Sequence, residues 1–243
     1  MSRRSPYPRG VRPGRRPPRS SSLWFFVAGL AIVVVIGVVA VLLSRDDSDD
    51  GGSDTAAAGE VAASVQIEGN SLDTFRPEDD DPAVGQPAPV ATGEDFDGTA
   101  VTIGEGGRPQ LVVFVAHWCP HCQAEVPRIV ALAQSGGIPS GVDLVGVATS
   151  TDEARSNFPP SEWLQEEAWP GAVLVDTASN EVANAYGLSS FPFFVVLDDQ
   201  GRVVTRQSGE LSEDQLRALV DEAARSSTPP TSSSTSSSTP PGS

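Results

Sequence analysis

The chain has two cysteines, and they stand two residues apart in Cys119-Pro120-His121-Cys122. Closing so short a loop with a disulfide restricts the unfolded chain by roughly 2 kcal/mol at most, less than the ~3 kcal/mol of a 15-residue loop, so the pair is a poor staple. The chemistry that this spacing suits is reversible thiol-disulfide exchange. One thiolate attacks a substrate disulfide, and the second, one helical turn on, attacks the mixed disulfide and releases the product. Metal binding is the rival use of Cys119 and Cys122, with His117 or His121 beside them. Tetrahedral zinc asks for four ligands, however, and the chain has no second Cys-x-x-Cys and no other histidine. No metal and no separate cofactor is expected; the redox-active Cys119-Cys122 disulfide is itself the working group.

The elements around this pair must present one sulfur and shelter the other. Leu111-Val112-Val113-Phe114-Val115 is a short apolar run suited to a buried strand, and a helix is expected over 120–134. Cys119 then falls at a helix N-terminus, where unpaired amides and the macrodipole favour a thiolate. Pro120 fits the first helical turn because its missing N–H had no intrahelical partner. His121, as imidazolium, would add a positive charge beside the sulfur and lower its pKa further. Glu125 follows Cys122 by three residues and shares its side of the helix with Ile129 and Leu132. In that apolar stripe it would shuttle the Cys122 proton; as a solvated residue it would only pair with Arg128 at i, i+3.

Further strand signals lie at Val142–Ala148, Ala172–Val175 and Phe193–Leu197, the last followed by Asp198-Asp199-Gln200-Gly201 and Val203-Val204, a β-hairpin. Helices are expected over 161–168, 179–186 and 212–225, the last opening with the capping box Ser212-Glu213-Asp214-Gln215. This alternation predicts an α/β domain with a central mixed sheet flanked by helices.

Trp118-Cys119-Pro120-His121-Cys122 resembles the thioredoxin-superfamily motif, and residues 82–225 as a whole resemble its membrane-anchored TlpA/ResA-like branch. The likeness extends to Val84-Gly85-Gln86-Pro87-Ala88-Pro89, to Tyr186-Gly187-Leu188-Ser189-Ser190-Phe191-Pro192, to Gly201 and to an insert over about 152–170 with Trp163 and Trp169. It implies that Pro192 is the family's cis-proline and lies against the disulfide. It also implies that Glu125 is the branch's glutamate. Trp118, Pro120 and Phe191 are the candidate client-binding residues, Trp118 as a shield of the sulfurs and Phe191 through its backbone beside Pro192, although Phe191 is larger than the residues usual before this proline. Thioredoxins proper carry a buried aspartate where this chain has Val113, so their proton-transfer residue does not carry over, and peroxiredoxins ordinarily carry Thr or Ser where it has Ala116, which disfavours a peroxiredoxin.

The net charge of −16 hides a division. Residues 1–22 hold seven arginines and no acid, while residues 23–243 hold nine arginines and all 32 acids. An acidic body disfavours nucleic-acid binding. Residues 23–43 are free of charge and long enough for one transmembrane helix, and the arginine flank puts the N-terminus in the cytoplasm. A cleaved signal is the alternative, although its apolar region would be shorter. Residues 44–81, with 12 acids and two arginines, read as a disordered linker, and residues 226–243 as a Ser/Thr/Pro-rich disordered tail. The expected organisation is a single-pass anchor in the cell membrane carrying an extracytoplasmic thioredoxin-like domain at 82–225. Its partners would be exported Cys-containing clients and a membrane redox protein that recycles it.

For the direction of electron flow, Pro-His between the cysteines resembles DsbA-like oxidases, and a stabilised thiolate makes the disulfide a stronger oxidant. The expectation is an oxidase. The TlpA/ResA likeness supports the alternative, a reductase of exported thiols such as those serving cytochrome c maturation. A metal-binding module is the third and weakest reading.

Overall fold

The apolar run before the cysteines forms a strand, Gln110–Val115, buried along its whole length. The computed structural model describes residues 59–77 and 80–226. In chain order its elements are β1 (Gln66–Glu68), β2 (Val90–Glu94), β3 (Ala100–Ile103), β4 (Gln110–Val115), α1 (Pro120–Gln134), β5 (Asp143–Ala148), α2 (Pro160–Glu166), β6 (Ala172–Val175), α3 (Glu181–Ala185), β7 (Phe193–Leu197), β8 (Val203–Ser208) and α4 (Glu213–Arg225). This is an α/β thioredoxin fold.

Its central sheet has the order β6-β5-β4-β7-β8, with β4, β5 and β6 parallel and β7 and β8 antiparallel to their neighbours. A smaller antiparallel sheet contains β1, β2 and β3. Side chains alternate across a strand, and β4 uses both of its faces. Leu111, Val113 and Val115 pack with Val126 and Ile129 of α1 and with Leu216, Leu219 and Val220 of α4. Val112 and Phe114 pack with Ile103, Val182, Tyr186 and Phe193 on the other side. A strand buried on both faces reads as a continuous apolar run, as this one does.

The helices follow from spacing and caps. On α1 the buried residues include Cys122, Glu125, Val126, Ile129 and Val130, an i, i+3, i+4, i+7, i+8 stripe. On α4 they are Leu216, Leu219, Val220 and Ala223, and the Ser212/Gln215 capping box is present in both directions. The β7–β8 hairpin turns on Asp198, whose Oδ1 accepts the Gln200 and Arg202 amides at 2.8 Å each. Gly201 has φ +71° in that turn, and a Cβ there would collide with the Gly104 carbonyl oxygen.

Within the range 44–81 expected as an acidic linker, the described residues from Gly59 onward pack on the domain. Ala62 donates to the Asp176 carbonyl, Leu72 to that of Ala185 and Phe75 to that of Gly187, at 2.8–3.0 Å. Glu60 and Phe75 are buried. The anchor of this segment is Arg206 on β8. Its Nε and Nη2 grip both oxygens of Asp81 at 2.8 and 2.6 Å, and its Nη1 donates to the carbonyls of Asp73 and Tyr186 at 2.9 Å each. Burial opposes the Asp81 charge, but the Arg206 bonds and the Ala83 amide outweigh it and hold the carboxyl below its usual range. Acidic composition suggested disorder; a buried arginine 125 residues away supplies the missing partner.

Among the described residues no helix is long and apolar enough to cross a membrane. The expected transmembrane run 23–43, the arginine-rich segment before it and the tail from 227 lie outside the described residues.

Candidate active site

β4 ends at Val115, and a turn closed by the Cys119 amide on the Ala116 carbonyl at 2.9 Å delivers Cys119 to the N-cap of α1. The Gln123 amide then donates to the Cys119 carbonyl at 3.0 Å, starting the helix, with Pro120 at its first position. No acid stands in the first turn of α1. The positive end of the helix therefore faces the sulfur without a local counter-charge. Both cysteines are free thiols; Cys119 keeps a sliver of exposure and Cys122 has none. Burial pushes the Cys122 thiol far above its usual pKa, the neighbouring Cys119 and Glu125 push it the same way, and the Ala116 backbone opposes them. Cys119 thus just reaches the surface, while Cys122 is a sheltered, tightly protonated thiol.

Glu125 lies one turn below Cys122 and is 0% exposed. Its Oε2 accepts the Leu211 amide at 3.1 Å and Arg128 Nη1 at 3.0 Å, while its Oε1 is buried with no hydrogen-bond partner. Burial raises the carboxyl pKa, and the Glu210 charge adds to this; the Leu211 amide and Arg128 work against it without cancelling it. Glu125 is thus enclosed in the apolar stripe rather than solvated, and it makes the i, i+3 contact with Arg128 from that buried position.

The same Arg128 Nη1 reaches Glu210 Oε2 at 3.1 Å, and the other oxygen of Glu210 lies 2.6 Å from His121 Nδ1. His121 is 66% exposed. Its contact with Glu210, in the loop ahead of α4, is an ion pair whenever the ring is protonated. The His121 bond, then those from Arg128, hold the Glu210 carboxyl below its usual pKa.

Around the mouth, Trp118 donates from Nε1 to the Ser150 carbonyl at 2.7 Å, meets Phe191 edge-on with ring centroids 6.1 Å apart, and carries the Arg155 guanidinium 4.1 Å above its ring. Phe191 precedes a cis peptide bond to Pro192, and Pro192 is buried. Pro120 is exposed at the helix start. Trp118 and Phe191 are thus brought together, and both pack on the apolar cluster that contains Cys119 and Cys122.

His117 is buried just ahead of the cysteines. Its Nδ1 lies 2.8 Å from the Ser156 carbonyl, and its Nε2 accepts the Asp152 amide at 3.2 Å. Those two bonds require a neutral ring with the hydrogen on Nδ1. Burial lowers its pKa, and Arg155 adds to this; the Ser156 bond and the charges of Asp152 and Glu60 oppose it. The ring pins the loop between β5 and α2 over the site. Among the described residues no group of three or more His, Cys, Asp and Glu side chains is placed to hold a metal ion. Glu210, the Leu211 amide, Ser150 and Arg155 are the participants that sequence reasoning missed, and only the i, i+3 spacing of Glu125 and Arg128 gave a local signal.

The redoxin family model matches residues 83–222. The thiol:disulfide interchange protein HelX of Rhodobacter capsulatus is 30% identical over 117 residues, covering 47% of this chain and 60% of HelX. The methylamine utilization protein MauD of Methylophilus methylotrophus is 28% identical, covering 53% of this chain and 57% of MauD. The chain thus spans less than two thirds of either relative. Among solved structures, dsbF of MTB, in mixed oxidized and reduced forms, is 28% identical with a TM-score of 0.45, covering 54% of this chain and 93% of that one. Because the family model spans more than half of the 243 residues, the chain belongs to the redoxin family, and its domain is a thioredoxin-superfamily thiol-disulfide oxidoreductase.

Proposed function

We propose that this protein is an extracytoplasmic thiol-disulfide reductase, donating two electrons to disulfides in exported proteins. Cys119 attacks the client disulfide, and Cys122 resolves the mixed disulfide after yielding its proton to Glu125. The client's cysteine segment lies across Trp118, Pro120 and Phe191, with its backbone free to pair beside Pro192, which has no N–H of its own. A membrane redox protein restores the dithiol. The apolar run at 23–43 with its arginine flank supports a single-pass anchor with the domain outside.

The direction reverses the oxidase expectation, which rested on an imidazolium serving the Cys119 sulfur. The observation that carries the reductase reading is the 2.6 Å contact of His121 Nδ1 with Glu210 Oε1. A carboxylate at that distance offsets the imidazolium charge, so His121 gives little net stabilisation to a thiolate. Glu125 and burial disfavour the charged form of the second sulfur as well. With His121 adding little to what the helix N-terminus provides, the reduced state is favoured less than the oxidase expectation requires, and the dithiol gives up its electrons more readily. The likeness to HelX, a thiol:disulfide interchange protein, agrees with an exchange role.

The test is a redox titration of the Cys119/Cys122 couple in the full chain against glutathione or dithiothreitol buffers. A potential near that of thioredoxin, about −270 mV, is expected. A value at the DsbA end of the scale, about −120 mV, would overturn the reductase reading and restore the oxidase.

A further inference from the structure

The hydrogen-bonded chain His121–Glu210–Arg128–Glu125 links an exposed ring to a buried carboxyl under the second cysteine, and resolution of a mixed disulfide does not by itself require the two middle members. Every distance along it is a hydrogen-bond distance, 2.6, 3.1 and 3.0 Å. Two acids compete for one donor, since Arg128 Nη1 serves both Glu210 Oε2 and Glu125 Oε2. The Leu211 amide also occupies Glu125 Oε2, so Oε1 is the oxygen left without a partner.

We propose that Arg128 and Glu210 are positioning residues for the resolving step: Arg128 ties down Glu125 Oε2 so that Oε1 receives the Cys122 proton, and Glu210 sets how much of the Arg128 charge reaches Glu125. This rests on the reading of Cys122 as the resolving thiol. In the step, the Cys122 S–H proton passes to Glu125 Oε1. The Cys122 sulfur then forms a bond to the Cys119 sulfur, and the bond between Cys119 and the client sulfur breaks. The client sulfur leaves with the electron pair and takes a proton from solvent; Cys119 and Cys122 end oxidised and the two client sulfurs reduced. Glu125 must be a carboxylate to act, and the charged or titratable groups facing it are Cys122 and Arg128 on α1 and Glu210 ahead of α4. Arg128 and Glu210 have opposite charges, so their removal moves the carboxylate population in opposite directions. A scaffold that merely held the loop would respond alike to both losses.

The experiment is the reaction of the reduced full chain with 5,5′-dithiobis(2-nitrobenzoate), followed by thionitrobenzoate absorbance across pH 5 to 9. The first release reports attack by Cys119, and the second reports displacement by Cys122; each second-phase rate is taken relative to the first phase of its own trace. Arg128→Met is expected to slow the second phase about tenfold at neutral pH and to move its pH midpoint about one unit alkaline. Glu210→Gln is expected to move the midpoint to the acid side. Arg128→Lys, which keeps the charge, is expected to return it toward the wild-type value, and it remains informative if Arg128→Met fails to fold. Midpoints that move in the same direction in Arg128→Met and Glu210→Gln, or in neither, would overturn the proposal. A second phase that survives Cys122→Ser would instead refute the resolving role of Cys122 and take the proposal down with it.

Discussion

At the scale of single residues, the two sulfurs differ in environment more than in sequence position. Cys119 caps a helix at the mouth, whereas Cys122 is fully enclosed and its thiol is driven up by burial. Cys122→Ser is therefore expected to accumulate client proteins on Cys119 as mixed disulfides. Non-reducing gels of envelope fractions are the check, and an absence of adducts that reducing agent dissolves would count against the exchange role. Glu125 carries a stability consequence with a definite sign. Its folded carboxyl holds a proton more tightly than the ordinary carboxyl near 4.5, chiefly through burial. The unfolded chain therefore sheds that proton first as pH rises, so the contribution to stability is greatest below about 4.5 and declines as pH climbs through the folded value. Glu125→Gln lacks this decline. In urea unfolding the variant should gain on wild type between about pH 4 and pH 8, while losing resolving activity. A gap that stays flat or narrows would contradict the raised carboxyl.

At the scale of elements, α4 is a positioning device as much as a core helix. Glu210 and Leu211 immediately precede its N-cap, so the cap holds the loop that reaches Glu125 and Arg128. Ser212→Ala removes the hydroxyl that accepts the Gln215 amide and should cost about 1 kcal/mol in chemical denaturation. That helix was legible in the sequence because its capping box and i, i+3, i+4, i+7 stripe are local. So was α1, which starts at Pro120 and runs through Pro127 to Gln134 because its buried face matches the sheet. The hairpin after Phe193–Leu197 was legible through its Asp-Asp-Gln-Gly turn, and the cysteine pair through spacing alone. The partners of His121 and Trp118 were not legible. Glu210 is 89 residues from His121 and Ser150 is 32 from Trp118, and no periodicity carries such pairings. The buried, neutral His117 likewise depends on the Asp152 amide and the Ser156 carbonyl, which belong to a loop without sequence pattern.

At the scale of the whole molecule, the domain is larger at its N-terminal side than composition suggested. Twelve acids over 44–81 argue for solvation, yet Asp81, only partly exposed, is the carboxylate partner of the buried Arg206. Breaking one side of such a pair strands the other charge in the interior. Asp81→Ala is expected to cost about 3 to 5 kcal/mol, read as a lower urea midpoint with an unchanged slope. A loss under about 1 kcal/mol would mean that Arg206 finds water or another acceptor.

The Arg206 clamp also sets an order of events as the chain is made. Asp81 leaves the ribosome 125 residues ahead of its partner, and the nearer cysteine leads Arg206 by 206 − 122 = 84. Phe194, Leu211 and Leu216, which belong to the same apolar cluster as Cys122, are also made after both thiols. At about 5 to 20 residues per second, those 84 residues take roughly 4 to 17 seconds to add. For that interval the nascent chain holds two uncovered thiols and an acidic N-terminal segment with no cation to dock on. A chain cut short before β8 would keep its redox pair and lose the fold that makes one sulfur reactive and the other protected.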